Sequence, residues 1–173
     1  MTRVSSLGHV GLYCSDLDAQ LRFYTELLGL QVTDEDREHG MIFLSARPES
    51  EHHELALFSG RSIGPEARVV QQLSFHCDSL ATLIAFYHRF QAQQVEIDMV
   101  VSHGNSISIY MFDPDGNRCE VYWPTGLSAR QPYIVPADLD ADPAEILDAL
   151  SRSVAEFGAT GVIDESAFVG KKI

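Results

Sequence analysis

Three places in the sequence carry the side chains that we select as candidate metal ligands. They are His9, the stretch from Gln72 to His76, and Glu120. Two neutral donors and one carboxylate on one face of a site leave coordination positions open, and non-haem Fe(II) oxygenases use such a set to bind a substrate and O₂ together. The residue types therefore favour a mononuclear metal centre.

Three further side chains, those of His53, His103 and Tyr110, can move protons or stabilise an oxyanion. Each candidate also has a plainer interpretation. A single strand histidine is more often structural than a ligand, Tyr110 can belong to the core, and Glu120, which alternates with Val121, can face solvent. The coincidence of several such residues in one pattern favours a site over these interpretations.

The strands and helices that must position these residues occur in two similar copies along the sequence. An offset of 63 residues aligns six identical pairs: Cys14 with Cys77, Leu17 with Leu80, Phe23 with Phe86, Tyr24 with Tyr87, Gln31 with Gln94, and Val32 with Val95. A random match occurs at about 6% of positions in a chain of average composition, so chance predicts about one identity in this window. We interpret the pattern as an internal repeat.

Each copy predicts a strand, a helix and three further strands. The first copy has strands at 7–14, 31–33, 40–45 and 53–58, and a helix with the apolar stripe Leu17, Leu21, Tyr24 and Leu28. The second has strands at 69–77, 95–101, 106–112 and 118–123, and a helix with the stripe Leu80, Leu83, Ile84, Tyr87 and Phe90. Ser15 or Asp16 can cap the first helix, and Asp78 or Ser79 the second.

These elements predict an α+β domain over residues 1–126. It contains two βαβββ modules, at about 5–58 and 69–123, with a linker at 59–68, and we expect them to form a half-open barrel around the site. Residues 127–173 form a C-terminal tail. Asp142-Pro143-Ala144-Glu145 begins a predicted helix over 142–157, whose stripe of Ile146, Leu150, Val154 and Phe157 should be buried.

Several segments resemble a known family. Val101-Ser102-His103 and the segment from Ile109 to Glu120, with Tyr110, Asp113-Pro114 and Gly116, resemble the signature of extradiol ring-cleaving dioxygenases. The opening His9-Val10-Gly11-Leu12 resembles vicinal oxygen chelate modules generally, the superfamily of glyoxalases, bleomycin resistance proteins and dioxygenases. His52-His53-Glu54-Leu55 resembles the fourth strand of the dioxygenase module.

The resemblance implies a role for each residue. His9 and Glu120 match metal ligands, His53 matches an acid–base histidine, and His103 and Tyr110 match residues that bind the catecholate and oxygen intermediates. The implied metal is Fe(II), with Mn(II) or Zn(II) as alternatives. The implied substrates are a small aromatic vicinal diol and O₂.

One position departs from the family pattern. The repeat places the second ligand at 9 + 63 = 72, which is Gln72, where the family has histidine. His76 is the alternative, but it lies about 13 Å farther along a strand, so the two cannot reach one metal ion. We predict that Gln72 is the ligand. A carbonyl oxygen binds Fe(II) more weakly than imidazole does.

Two other functions remain open on the same scaffold. A glyoxalase-like lyase or isomerase would use Glu54 as a fourth ligand, prefer Zn or Ni, and consume no O₂. A non-catalytic protein would bind a small aromatic molecule, with Gln72 marking lost redox chemistry. The group of His53, His103 and Tyr110 favours the dioxygenase.

Composition narrows the partners. The net charge of −13 repels nucleic-acid phosphates, so no nucleic-acid binding is expected. No apolar run approaches the roughly 18–20 residues that span a bilayer, and the first residues contain no signal-peptide core, which predicts a cytoplasmic protein without a membrane partner. Cys14, Cys77 and Cys119 are expected to be free thiols. Oligomeric state is left open, with a homodimer preferred.

Overall fold

The computed structural model describes residues 2–67 and 69–168. The chain divides into two compact units. One contains the residues up to Val69 together with Asp113–Gly116, and the other contains Val70–Phe112 and the residues from Asn117 onward. Arg68, the last residue of the predicted linker, and residues 169–173 of the predicted tail lie outside the described residues.

The first unit has one mixed sheet with the strand order β1-β4-β3-β2. Its elements are β1 (Val10–Cys14), α1 (Leu17–Arg22), a π-helical turn (Phe23–Leu27), β2 (Gln31–Asp36), β3 (Met41–Ser45) and β4 (Leu55–Ser59). The strands β1 and β4 are parallel and the other pairs antiparallel. The helix begins where the Asp16 carboxylate accepts a hydrogen bond from the Ala19 N–H, an N-cap that satisfies an otherwise unpaired donor.

The second unit repeats this arrangement. Its elements are β5 (Leu73–His76), α2 (Leu80–Ala92), β6 (Ile97–Ser102), β7 (Ser106–Phe112) and β8 (Arg118–Pro124). They pair in the order β5-β8-β7-β6, with β5 and β8 parallel, which is the topology of the first sheet. The strands β1 and β5 begin 63 residues apart (73 − 10), as do α1 and α2 (80 − 17). The predicted repeat of two βαβββ modules and the α+β fold class are confirmed.

The tail extends the second sheet from four strands to six. It contains β9 (Tyr133–Pro136), α3 (Pro143–Phe157), β10 (Val162–Ile163) and a 3₁₀ turn (Glu165–Phe168). The strand β9 pairs antiparallel with β6, and β10 pairs parallel with β9. The predicted tail helix is present. Its Ile146 and Leu150 are buried, but Val154 and Phe157 are only half-buried.

Several predicted strands begin later in the structure than in the prediction, and three of these shifts affect candidate site residues. The strands predicted at 7–14, 53–58 and 69–77 begin at Val10, Leu55 and Leu73. Consequently His9, His53 and Gln72, which we expected on strands, each lie in the segment leading into one. A strand begins where its backbone first forms hydrogen bonds with a partner strand, and the alternation of apolar residues does not indicate where that pairing begins.

The three cysteines are buried and form no disulfide. Among residues 2–67 and 69–168, no helix combines the length and the apolar character that crossing a membrane requires.

Candidate active site

The second unit brings a buried carboxylate together with two polar side chains. Glu120, on β8, is 6% exposed. Its Oε2 accepts a hydrogen bond from Gln72 Nε2 at 2.9 Å and another from the Ser74 hydroxyl. The register of β5 against β8 places Ser74 opposite Glu120, and Gln72 lies two residues earlier on the same face. A buried carboxylate requires such partners, because unpaired burial of a charge costs several kcal/mol.

These contacts define which way the Gln72 amide points. Nε2 donates to Ser74 Oγ at 2.8 Å as well as to Glu120, and a carboxylate oxygen can only accept from it. The amide oxygen of Gln72 is therefore the atom that neither contact uses. It is also the only atom of this side chain that can bind a cation.

His76 occupies a different position on the same strand. It is exposed, and its ring centroid lies 5.6 Å from that of Tyr122, the residue opposite it on β8. Within the second unit, the residue in contact with Glu120 is thus Gln72 rather than His76. The assignment of Gln72 as a metal ligand stays a prediction.

Tyr110 lies on β7 directly opposite Glu120 and is buried. Burial raises the pKa of the Tyr110 hydroxyl, and the neighbouring Glu120 carboxylate raises it further. The guanidinium carbon of Arg118 lies 4.3 Å from the centre of the Tyr110 ring, a cation–π contact. The phenol therefore stays protonated at neutral pH and can act as a hydrogen-bond donor.

His103 follows β6 and joins this group. Its Nε2 lies 3.0 Å from the Tyr110 hydroxyl, and its Nδ1 lies 2.9 Å from the backbone carbonyl oxygen of Tyr133 in the tail. Four of the six predicted site residues, Gln72, Glu120, Tyr110 and His103, are therefore linked in one polar cluster in the second unit.

The other two predicted residues meet in the first unit. His9 is exposed and precedes β1, His53 precedes β4, and their ring centroids are 4.3 Å apart. Phe43 of β3 packs edge-on against His53, with centroids 5.1 Å apart. Partial burial lowers the pKa of His53, and the neighbouring His9 and His52 lower it further. His53 is therefore neutral at pH 7 and can accept a proton.

Glu54, the residue that a glyoxalase-like site would use, is already engaged. Its carboxylate accepts from the Ala46 N–H at 3.0 Å and pairs with Arg47 at 3.1 Å. These partners lie in the segment that follows β3. The structure thus gives Glu54 a role in holding that segment.

Sequence reasoning missed three contributors to the second-unit cluster: Ser74, Arg118 and the carbonyl of Tyr133. Strand alternation could have found Ser74, which is two residues from Gln72, and Arg118, which is two residues from Glu120. No sequence signal marks the Tyr133 carbonyl, because every residue has one.

The donor atoms of the second unit suit a divalent metal ion. The Gln72 amide is oriented by the acceptors of its Nε2, and the Glu120 carboxylate is oriented by donors from Gln72 and Ser74. Their oxygens are ligands of the kind that Fe(II), Mn(II) and Zn(II) accept. In the described part of the chain, no three histidine, cysteine, aspartate or glutamate side chains are grouped so as to hold a metal ion. The second unit thus supplies two oxygen donors, and the imidazole that the sequence predicts, His9, belongs to the first unit.

Comparison with known proteins places the chain in a family. Residues 6–121 match the Glyoxalase/Bleomycin resistance protein/Dioxygenase superfamily. The chain belongs to this superfamily. Two relatives from Rhodococcus globerulus are biphenyl-2,3-diol 1,2-dioxygenase 2, which is 29% identical over 125 residues, and biphenyl-2,3-diol 1,2-dioxygenase 3, which is 32% identical over 126 residues. Each match covers 70% of this chain and 64% of the relative, so it spans less than two thirds of their length.

Solved structures of the superfamily share the fold. A lactoylglutathione lyase from Agrobacterium tumefaciens superposes with a TM-score of 0.55 at 25% identity, covering 70% of this chain and 96% of the lyase. The superfamily therefore includes both dioxygenase and lyase relatives of this chain. Family membership alone does not choose between the two activities.

Proposed function

We propose that this chain is an extradiol ring-cleaving dioxygenase that acts on a catechol-type aromatic vicinal diol with O₂. The observation that carries the proposal is the pairing of the buried Tyr110 hydroxyl with His103 beside Glu120. Such a pair suits a phenolic oxygen, because it can both donate a hydrogen bond to that oxygen and take up its proton. The dioxygenase relatives support the same reaction class.

The proposed metal ligands are His9, Gln72 and Glu120, and the proposed metal is Fe(II), with Mn(II) or Zn(II) as alternatives. A bound divalent ion would supply positive charge that lowers the pKa of the diol hydroxyls and a point of attachment for O₂. Ser74 and the Gln72 amide nitrogen hold Glu120 Oε2, and the other carboxylate oxygen is the proposed ligand atom.

The proton-handling residues have separate tasks in this proposal. His103 Nε2 and the Tyr110 hydroxyl, 3.0 Å apart, orient the oxygen-bearing edge of the ring and hold a proton there. His53, neutral because its pKa is lowered, accepts a proton from the substrate and returns it later. The aromatic contact of Phe43 with His53 limits the rotation of that imidazole.

A glyoxalase-like lyase or isomerase is the second candidate, and the lactoylglutathione lyase relative favours it. The ion pair of Glu54 with Arg47 argues against it, because Glu54 would have to break that pair to become a ligand. A non-catalytic protein that binds a small aromatic molecule is the third candidate.

Oxygen consumption tests the proposal. Protein purified without added metal is reconstituted anaerobically with Fe(II), and O₂ uptake is recorded with catechol or biphenyl-2,3-diol while absorbance follows the yellow ring-cleavage product. The proposal expects uptake and product in equal amounts. Isomerisation of a glutathione hemithioacetal with Zn(II) or Ni(II), without O₂ uptake, would establish the lyase instead. Catechol binding without turnover under any of these metals would establish the binding protein.

A further inference from the structure

We propose that the C-terminal tail positions His103, with the Tyr133 carbonyl selecting its tautomer and the Gln131 side chain holding that carbonyl in place. This inference rests on the proposed function, since it deepens the role of His103 in the same site. Residues 131–133 lie beyond the 6–121 segment that matches the superfamily. The positioning device therefore lies outside the matched segment.

The tautomer follows from the two partners of the imidazole. Nδ1 of His103 is 2.9 Å from the Tyr133 carbonyl oxygen, which can only accept a hydrogen bond, so Nδ1 must carry a proton. In the neutral ring Nε2 is then the unprotonated nitrogen. It lies 3.0 Å from the Tyr110 hydroxyl, which is also hydrogen-bonded to the Glu120 carboxylate. The tail thereby makes Nε2 the nitrogen that exchanges protons at the site.

The Gln131 amide connects the tail to His103 at a second point. Its Oε1 accepts from the Tyr133 N–H at 3.1 Å, and its Nε2 donates to the His103 carbonyl at 2.9 Å. Both groups of one side chain are thus used to tie the backbones of residues 103 and 133 together. Since Gln131 is exposed and touches neither Tyr110 nor Nε2 of His103, it is a positioning residue.

The rest of the tail keeps the carbonyl from moving. Tyr133 is fully buried, and its hydroxyl is hydrogen-bonded to Ser153 of α3. The next residues pair with β6, where Val135 lies opposite Ser102. Gly104, beside His103, has φ +74, and a Cβ there would lie 2.4 Å from the Ala129 Cβ. Only glycine permits this close approach of the tail to the turn that carries His103.

NMR spectroscopy of the full-length, metal-free chain tests the inference. Long-range ¹H–¹⁵N correlation spectra distinguish the two histidine tautomers, and a His103→Gln spectrum identifies the signals of His103 among those of the seven histidines. We expect the wild-type ring to show the Nδ1–H pattern. In Gln131→Ala we expect the shifts of the two ring nitrogens to move towards each other, because the Tyr133 carbonyl is no longer held and both tautomers are populated.

Gln93→Ala is the matched control, since Gln93 is an exposed glutamine at the end of α2, and its spectrum should keep the wild-type pattern of His103. If the neutral His103 ring of the wild-type protein carries its proton on Nε2, this result alone overturns the inference. An unchanged Nδ1–H pattern in a folded Gln131→Ala would overturn the role of Gln131. Because the readout needs neither metal nor turnover, it fails or succeeds independently of the dioxygenase assay.

Discussion

Replacing Gln72 by histidine should raise the affinity for Fe(II) while lowering the stability of the metal-free protein. The Gln72 amide donates one hydrogen bond to the Glu120 carboxylate at 2.9 Å and one to Ser74 at 2.8 Å. A hydrogen bond to a charged group contributes about 1.5–3 kcal/mol and a neutral one about 0.5–1.5 kcal/mol. Because Gln72 is only half-buried and Ser74 is exposed, a combined loss of about 1–2 kcal/mol is the reasonable expectation.

That loss converts to a melting temperature lower by roughly 2–8 °C for a domain of this size. The histidine offers an imidazole in place of a weaker amide oxygen, which should improve Fe(II) binding tenfold or more, about 1.4 kcal/mol per decade. The metal-dependent rise in melting temperature should therefore be larger in Gln72→His than in wild type. Anaerobic Fe(II) titration monitored by differential scanning calorimetry measures both quantities in one series.

His76→Ala is the control, because His76 is exposed and packs on Tyr122 rather than on Glu120. It should leave Fe(II) affinity nearly unchanged. Loss of metal binding in His76→Ala, together with unchanged binding in Gln72→Ala, would refute the choice of ligand. Equal Fe(II) affinity in wild type and Gln72→His would refute the argument that residue 72 limits metal binding.

Three further predictions concern the hydroxyl, the tail and the thiols. Tyr110→Phe removes the partner of His103 Nε2 and should lower kcat/KM for catechol about ten- to hundredfold, which is equivalent to the ~1–3 kcal/mol of a lost buried hydrogen bond. The circular dichroism spectrum should be unchanged. Kinetics equal to those of the wild type would show that Tyr110 has no part in the mechanism. Deleting residues 130–173 uncovers β6 and removes the four buried apolar or aromatic side chains of the described tail, Tyr133, Leu139, Ile146 and Leu150. The burial of each contributes about 1.5–3 kcal/mol. The truncated protein should therefore aggregate in size-exclusion chromatography, whereas a monodisperse and equally stable product would show the tail to be dispensable. Burial raises the pKa of Cys14 to about 12 and that of Cys77 to about 11, above the ordinary value of a free thiol, so the native state holds these protons more tightly than the unfolded chain does. Stability in urea titrations should be unaffected by these groups below pH 9 and fall as the pH rises towards 11; a rise over that interval would contradict the cause given.

Local patterns were sufficient for the helix positions and for the order of the elements in both modules. Apolar residues at helical spacing predict α2 and α3, and the capping positions Asp16 and Ser79 are used as predicted. The Asp142 position also begins α3, although its side chain makes no capping hydrogen bond. These features depend on neighbours within one or two turns, so a sequence alone contains them.

The starts of the first strands were predicted too early for a reason that is not local. Leu7 precedes Val10, and Val69 precedes Leu73, so the apolar pattern begins before either strand does. Strand pairing begins only where the partner strand, β4 for β1 and β8 for β5, lies alongside. As a result His9 and Gln72 are not strand residues. Their equivalence in the repeat survives this correction, because both immediately precede the first strand of their module.

The sequence by itself determined which residue types are present for metal binding and proton transfer, and the repeat that relates His9 to Gln72. Only the tertiary structure decided that the Gln72 amide nitrogen points at Glu120 and that Tyr133, 30 residues away, supplies the partner of His103 Nδ1. The physical reason is that the spacing of apolar residues and the identity of capping residues depend on local backbone geometry, so the residue types along the chain indicate that geometry. The direction of an amide and the position of a backbone carbonyl depend instead on which distant strands pair, and no residue type encodes that pairing.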